Sequence, residues 1–270
     1  MGTNDNCRVI AIANQKGGVG KTVTCVNLGI GLAREGKKVL IISADDQNSI
    51  FKLFGCGDFV TNQDNMYLEH LLAGQCNPED IVCEARINMY IIKTLNTGSL
   101  SFALQVKRQE ERKLIDTIKG FTNFFDYIFI DFPPSSSRLS EILLDISDSI
   151  LLVVGLDTLG LDGYINTIQF FVDSDINLDK IKYIVPTQYH PVKLAPKNCL
   201  KELKIQASKY TPNAVITDPV CDRSVIKNLQ AEGVSIFDKH QMQSRFHQKN
   251  RDEVEKEWTN AFKKLDLEQK

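Results

Sequence analysis

Several common features are missing from this sequence of 270 residues. Its seven cysteines form no C-x-x-C pair, and their odd number favours reduced thiols over a disulfide framework, a structural zinc site or an iron–sulfur cluster. One of the longest apolar runs, residues 150–154, is far shorter than the roughly 20 residues that span a bilayer. Residues 1–10 contain neither an apolar signal segment nor a basic region. We therefore expect a soluble, cytoplasmic protein with no membrane partner.

The charges of the chain are unevenly distributed, although its formal net charge is only −2. Residues 182–251 contain 12 Lys and Arg against 5 Asp and Glu, a net of +7, so the rest of the chain carries −9. The small overall charge by itself predicts no nucleic-acid binding. The asymmetry, in contrast, indicates an anionic partner.

Alternating strand and helix patterns predict the fold. Residues 8–13 form a β-branched run that leads into a glycine-rich loop, residues 22–34 have apolar residues at helical spacing, and residues 39–42 read VLII. Such a βαβ unit implies a right-handed crossover between parallel strands. Further strands are predicted at 89–92, 127–130, 150–154, 182–185 and 214–217, and helices at 110–119, 140–146 and 161–172.

No linker or low-complexity segment interrupts these elements. We therefore expect an α/β fold with a single doubly wound, mostly parallel sheet and helices on both of its faces. One domain is predicted for residues 1–270, with a core over 8–257 and a C-terminal helix over 251–267.

The loop after the first predicted strand reads NQKGGVGKT, residues 14–22. Its glycines allow the backbone to wrap tightly, so that successive N–H groups point at phosphate oxygens. Lys21 is placed to neutralise the β- and γ-phosphates, and Thr22 offers a hydroxyl to Mg²⁺ at the positive N-terminus of the next helix. The general pattern G-x-x-x-x-G-K-[ST] has a glycine where Gln15 stands, and it has no counterpart of Lys16. The loop predicts binding of ATP with Mg²⁺.

The run KGGVGKT, residues 16–22, resembles the deviant Walker A motif of the ParA/MinD family of ATPases. In that family the first lysine, here Lys16, reaches across a dimer interface to the phosphates of the partner's nucleotide. The resemblance therefore implies a homodimer that forms with ATP, in which Lys16 supplies its charge in trans. The nucleotide-binding set that it implies within the loop is Lys16, Gly17, Gly18, Val19, Gly20, Lys21, Thr22 and Val23.

Two acidic segments match further landmarks of the family. FDYIFIDFPPS resembles its Walker B and switch II region, which implies that Asp131, at the end of a buried strand, binds Mg²⁺ through water together with Thr22. SADDQNS matches the pattern D-x-D-P-Q imperfectly, with Asp46 in place of the proline, and the resemblance places Asp45 around the attacking water and the γ-phosphate. Ser43 replaces the first aspartate of that pattern, which predicts a looser Mg²⁺ shell. The implied catalytic residues are Lys16, Asp45 and Asp131.

The resemblance is to the partition ParA proteins and extends from about residue 9 to residue 257. PTQYHP makes Thr187 the candidate neighbour of adenine. TDPVCDRSV resembles the family's I-P-x-x-x-R loop, with Pro219 as a further nucleotide contact and Val220 in place of an arginine. The family holds DNA nonspecifically through basic residues of this loop and of nearby helices, which here implies Arg223, Lys227, Arg245, Lys249 and Arg251.

The function implied by this resemblance is DNA partition by an ATPase that a ParB-type centromere-binding partner stimulates, located on the nucleoid in the ATP state. Two other functions stay open. A MinD-like ATPase ends in a cationic amphipathic helix that lies on lipid, but residues 251–270 carry five basic and six acidic residues, so we expect that helix to pack on the domain. Its apolar stripe is Val254, Trp258, Ala261, Phe262 and Leu265. The second is a nitrogenase-reductase-like or amide-ligase-like enzyme. No cysteine stands in the setting that the iron–sulfur cluster of such a reductase requires, and no substrate-pocket signature supports such a ligase.

Overall fold

The structure is a computed structural model that describes residues 7–56, 66–238 and 245–265, apart from the side chains of residues 245–247. The described strands form one sheet with the order β3-β4-β2-β5-β1-β6-β7-β8. These strands are β1 (Arg8–Ala13), β2 (Val39–Ser43), β3 (Val82–Arg86), β4 (Met89–Ile92), β5 (Tyr127–Asp131), β6 (Ser149–Gly155), β7 (Ile181–Thr187) and β8 (Val215–Ile216). Neighbouring strands are parallel except for β3 and β4, so the predicted mostly parallel sheet is confirmed.

Helices connect these strands in alternation. The described α-helices are α1 (Lys21–Arg34), α2 (Ser49–Leu53), α3 (Leu68–Leu72), α4 (Thr97–Val106), α5 (Arg108–Phe121), α6 (Arg138–Ile146), α7 (Thr158–Asp173), α8 (Leu194–Tyr210), α9 (Ser224–Ala231) and α10 (Arg245–Lys263). Short 3₁₀ turns cover Pro78–Ile81 and Leu178–Lys180.

Helices cover both faces of the sheet because its central strands are apolar on both sides. Val9 and Ala11 of β1 belong to a buried cluster that includes apolar residues of α3 to α8. Ile10 and Ile12, which point the other way, belong to a second cluster with α1, α2, α9 and α10. The sheet is therefore doubly wound, as the sequence predicts. That residues 1–270 form one domain stays a prediction.

Several elements differ from the sequence-based expectations. β3 was not predicted, because its sequence VCEAR lacks a continuous apolar run and it pairs antiparallel at the edge of the sheet. α4 and α8 were not predicted either, since small or polar residues occupy much of both helices. The C-terminal helix α10 begins at Arg245 and ends at Lys263, which is earlier at both ends than the predicted range of 251–267.

The apolar stripe of the C-terminal end lies against the protein. Val254, Ala261 and Leu265 are fully buried, and Trp258 is 2% exposed. These side chains join the cluster formed with α1 and α9, with Phe262 packed against its edge. The expectation that this helix packs on the fold is therefore confirmed for the described residues.

The topology brings the predicted loop and carboxylates to one edge of the sheet. β1 lies between β5 and β6, where the winding of the sheet reverses, and ligands of open α/β sheets bind at such a crevice. Asp131, at the carboxyl end of β5, is in register with Ile12 of β1 and with Ser43 of β2. The loop that follows β1 therefore begins beside Asp131.

Candidate functional site

The glycine-rich loop connects β1 to α1. Gly18 and Gly20 have φ angles of 73° and 96°, which L side chains rarely adopt, so these two positions require glycine. Gly17 lies against Pro134, because a Cβ added at Gly17 would be 3.9 Å from the proline Cβ. The loop thus folds tightly around the N-terminus of α1 and packs against the segment that follows Asp131. Gly17 and Gly18 are exposed.

Lys21 points back into the loop from the first turn of α1. It is 6% exposed, and its Nζ donates a hydrogen bond of 3.0 Å to the backbone oxygen of Lys16. Burial lowers the pKa of Lys21, while the negative charges of Asp131 and Asp45 act in the opposite direction. A buried cation held by a loop carbonyl is ready to exchange that acceptor for a phosphate oxygen.

Asp131 is the most strongly perturbed carboxyl group of the site. Its pKa is raised to about 7, chiefly by burial and also by the charge of Asp45, while a hydrogen bond with Thr22 and the charge of Lys21 oppose the rise. Its Oδ1 is buried and has no hydrogen-bond partner among the described residues. An unpaired buried carboxylate oxygen beside a threonine hydroxyl fits a magnesium site.

The protein alone does not complete a metal site here. Within the described ranges no group of three or more His, Cys, Asp and Glu side chains is placed to hold a metal ion. Mg²⁺ usually keeps several waters and takes one or two carboxylates together with substrate phosphates. Thr22 and Asp131 therefore fit an ion that arrives with a nucleotide.

Ser43 lies beside Asp131 on the neighbouring strand, and Asp45 lies in the turn that follows this strand. Ser43 is 1% exposed, and its hydroxyl donates a hydrogen bond of 3.0 Å to the backbone oxygen of Asp45. The half-exposed Asp45 accepts a hydrogen bond of 3.0 Å from the backbone N–H of Gln47. The serine thus fixes the turn that carries Asp45, and no second carboxylate stands directly beside Asp131 at this register position.

Lys16 is held by a residue that the sequence did not single out. Its Nζ lies 2.7 Å from Oδ1 of Asp157, and the same oxygen caps α7 by accepting a hydrogen bond from the backbone N–H of Gly160. The two paired side chains are 21% and 53% exposed, respectively. In this conformation Lys16 therefore forms an ion pair within its own chain.

α7 also supports the start of the loop. Thr167 accepts a hydrogen bond of 3.0 Å from the backbone N–H of Gln15, and the buried Asn14 accepts one of 2.8 Å from that of Lys16. A Cβ added at Gly163 would be only 2.7 Å from Cβ of Lys16, so the helix and the loop approach closely there. The contacts between α7 and the loop join residues about 150 positions apart and carry no local motif, which explains why the sequence did not predict them.

A cavity of about 200 Å³ opens on the other side of the loop. Thr187 lines it and donates a hydrogen bond of 2.7 Å to the backbone oxygen of Val19, so the predicted adenine neighbour also anchors the phosphate loop. Gln188, which the sequence did not single out, donates a hydrogen bond of 2.9 Å to the backbone oxygen of Gly18. Pro219 does not line this cavity. The residues that follow it in the loop, from Val220 to Arg223, do so instead.

The predicted DNA-contacting residues have different surroundings. Lys227 has a side chain that is 71% exposed and lies 3.4 Å from Asp222, and Lys249 is exposed. Arg223 already pairs with two carboxylates of α10. Arg251 is 7% exposed and donates to the backbone oxygens of Ile236 and Asp238, so the prediction that it contacts DNA is wrong for this conformation. The side chain of Arg245 lies outside the described residues.

This loop, its buried lysine and the strand-end carboxylate define a P-loop protein. Residues 7–181 match a protein family described as an AAA domain. The sporulation initiation inhibitor protein Soj of Bacillus subtilis is 32% identical over 177 residues, which cover 64% of this chain and 68% of the relative. The chromosome partitioning protein ParA of Caulobacter vibrioides is 29% identical over 160 residues, covering 58% and 59%. The chain belongs to this family and is a P-loop ATPase of the ParA/MinD family.

Solved structures share the fold over nearly the whole chain. McdA of Cyanothece, without nucleotide, has a TM-score of 0.78 at 20% identity and covers 96% of this chain and 99% of its own. The septum site-determining protein MinD of Pyrococcus horikoshii, complexed with Mg-ADP, has a TM-score of 0.67 at 20% identity, with 96% and 94% covered. At these identities the likeness shows the fold alone. No helix in the described ranges has the length and hydropathy needed to cross a bilayer.

Proposed function

We propose that this protein is a Mg²⁺-dependent ATPase of DNA partition. It dimerises when it binds ATP, holds DNA nonspecifically in that state, and hydrolyses ATP when a ParB-type centromere-binding protein stimulates it. The observation that carries the proposal is the cluster of the buried Lys21 and Asp131 with the half-buried Thr22 at the carboxyl edge of the sheet. A cation, a hydroxyl and an unpaired carboxylate oxygen in contact with a glycine loop suit a nucleoside triphosphate with Mg²⁺.

The roles within one subunit follow from these surroundings. Lys21 exchanges the carbonyl of Lys16 for phosphate oxygens, and the N–H groups of the loop bind the same phosphates. Thr22 and Asp131 hold Mg²⁺, which when bound neutralises charge on the phosphates. Asp45, half-exposed beyond β2, orients the attacking water. ATP and Mg²⁺ fit because Asp131 leaves an oxygen without a partner among the described residues.

The proposed role of Lys16, to contact the phosphates of a nucleotide, depends on dimerisation. The exposed glycines beside it leave this face of the loop open to a second subunit. Lys16 then leaves Asp157 for the phosphates of the nucleotide bound by the partner subunit, so that its charge acts only in the dimer. The chromosome partitioning protein ParA among the relatives, and a plasmid partition protein of Borrelia burgdorferi among the fold neighbours, support partition as the purpose of this cycle.

DNA binding rests on the basic segment and on the exposed lysines Lys227 and Lys249. A dimer doubles the +7 segment, so that phosphate contacts too weak in one subunit hold DNA in two. The membrane alternative receives less support, because the apolar stripe of α10 is buried and not free to enter lipid.

Gel shifts on two unrelated duplexes, with ATP and with ADP, test the DNA proposal. We expect both duplexes to bind only with ATP, and binding to fall as salt rises with a slope of about 0.9 per neutralised phosphate. Lys16→Ala is expected to retain nucleotide binding but to remain monomeric with ATP by light scattering. Asp45→Ala is expected to dimerise and to hydrolyse slowly. Equal DNA binding with ATP and ADP, or none with either, contradicts partition and favours the membrane alternative.

A further inference from the structure

Ion pairs join the helix α10 to the loop of residues 218–223, which forms one wall of the 200 Å³ cavity. Nη2 of Arg223 lies 2.6 Å from Oε1 of Glu257, and Nη1 lies 3.1 Å from Oε2 of Glu253. Glu253 and Glu257 are one helical turn apart, so their carboxylates face the loop together. Arg223 lines the cavity as well. It therefore connects the C-terminal helix directly to the wall of the cavity.

The loop is tied at further points. Lys264, just beyond the end of α10, has its Nζ 2.8 Å from Oδ1 of Asp218 at the start of the loop. On its inner side the loop continues the sheet, because Val220 donates a hydrogen bond of 2.9 Å to the backbone oxygen of Pro186 in β7. The loop is thus held between β7 and α10. A shift of the helix must move the loop or break these contacts.

Side chains of this junction face the cavity. Cys221 lines it as well, and Glu257 and Arg223 lie close enough to act on the pKa of its thiol in opposite directions. Trp258, which follows Glu257 on α10, also lines the cavity and is 2% exposed. α10 therefore supplies part of the wall itself, in addition to holding the loop.

Three buried polar atoms of this junction have no partner among the described residues: the donors Nε of Arg223 and Nε1 of Trp258, and the acceptor Oε2 of Glu257. Buried polar groups without partners are unfavourable, so the junction favours a ligand that presents hydrogen-bond acceptors together with a donor. A purine base with an exocyclic amino group presents both. The charged loop and Lys21 on the opposite side suit the phosphates of the same molecule.

We propose that α10 positions the base end of the nucleotide site, through Glu253 and Glu257 acting on Arg223. The proposal rests on the function above, because it requires that a nucleotide occupies the cavity. Affinity for the base depends on how α10 docks, and nucleotide binding in turn stabilises that docking. Arg223 is then a positioning residue and not a DNA contact, which differs from its sequence-based assignment.

Calorimetry with Mg·ADP and with magnesium pyrophosphate tests this role, since pyrophosphate lacks the base and ADP is not expected to dimerise the protein. We expect the double variant Glu253→Gln/Glu257→Gln to bind ADP roughly five- to tenfold more weakly, as expected for two partly exposed ion pairs, with unchanged pyrophosphate affinity. The matched control is Glu255→Gln. It removes an ion pair of the same helix that faces Arg34 at 3.2 Å, away from the cavity, and is expected to change neither affinity.

Equal weakening of ADP and pyrophosphate binding, or no weakening of either, overturns the proposal while the nucleotide site itself stands. Failure of the unaltered protein to bind ADP or ATP overturns the proposed function and this inference together.

A second experiment uses the unaltered protein and therefore tests the proposal even if the double variant does not fold. Mg·ADP is expected to protect Cys221 from iodoacetamide and pyrophosphate to leave it reactive, with the half-buried Cys7 as internal reference. Equal protection of Cys221 by both ligands contradicts the placement of the base.

Discussion

The two ends of the candidate nucleotide site are built in different ways. The phosphate end comes from one contiguous segment, residues 14–22, in which the backbone conformation and Lys21 are the main features that suit phosphate binding. The base end is assembled from β7, the loop of residues 218–223 and α10, which are distant in sequence. One end therefore depends on local chain geometry, and the other on how the C-terminal helix docks.

This difference predicts how each end responds to change. Changes at the phosphate end remove a buried charge or a backbone conformation, so their effects are large. Changes at the base end alter half-exposed ion pairs, whose individual contributions are small. The phosphate end also depends on α7, through Asp157, Gly163 and Thr167, so its local motif needs a distant helix as well.

The largest effect is expected for Lys21→Ala. Lys21 is the cation of α1 that contacts the loop, and the substitution removes it. The buried Asp131 also loses the positive charge that lowers its pKa. We expect at least about 100-fold weaker ATP binding, or about 2.7 kcal/mol, by calorimetry. Lys38→Ala, at an exposed position before β2, serves as the control. If Lys21→Ala bound ATP normally, the phosphate end would not depend on this lysine.

Gly163→Ala tests the dependence of the phosphate end on α7. The added Cβ would stand 2.7 Å from Cβ of Lys16 and 3.2 Å from Oδ1 of Asn14, so the loop must shift. We expect a loss of about 1–3 kcal/mol in the free energy of unfolding, together with weaker ATP binding. Gly120→Ala, in α5 with nothing within 4 Å, is the control and is expected to be neutral or stabilising. Equal behaviour of the two variants would show that α7 does not constrain the loop.

Asp157→Asn separates the ion pair of Lys16 from the cap of α7, because asparagine also caps helices. Lys16 must leave Asp157 to act in a dimer, so removing the pair favours the dimer. The pair is half-exposed, and we expect ATP-dependent dimerisation to become about two- to fivefold tighter by analytical ultracentrifugation. Asp162→Asn, exposed on the same helix, controls for charge. A weaker dimer in Asp157→Asn would mean that this aspartate supports the active arrangement.

The sequence predicts mainly those features of the fold and the site that depend on local structure, and it misses those that depend on contacts between distant residues. β1 and β4 have the predicted bounds, because continuous apolar runs end at the same residues as these strands. The loop with Lys21 and Thr22 was found because its spacing is local, and Asp131 was found because it ends an apolar strand of its own. Asp157 and Glu257 were not, since an ordinary acidic residue gives no sign of the distant cation that it contacts. The family resemblance implied that Arg251 contacts DNA, whereas its guanidinium is buried against backbone carbonyls.

The smallest effect concerns the thiol of the base end. The pKa of Cys221 is raised to about 11, chiefly by burial and also by the nearby Glu257, while Arg223 opposes the rise. Glu257→Gln removes the negative charge and leaves Arg223, so the pKa of Cys221 must fall. Below that pKa the thiolate fraction changes tenfold per unit of pKa. We therefore expect roughly three- to tenfold faster alkylation of Cys221 by iodoacetamide at pH 9 in the protein without nucleotide.

The full pH profile decides whether charge or access causes that increase. A lower pKa moves the midpoint of the alkylation rate to lower pH and leaves the rate of the fully ionised thiol unchanged. A wall that merely opens raises the rate at every pH and leaves the midpoint in place. Glu255→Gln, on the same helix but paired with Arg34, is expected to leave both quantities unaltered. If Glu257→Gln left the midpoint unaltered, the carboxylate would not act on Cys221, and the contact of α10 with this wall would contribute packing alone.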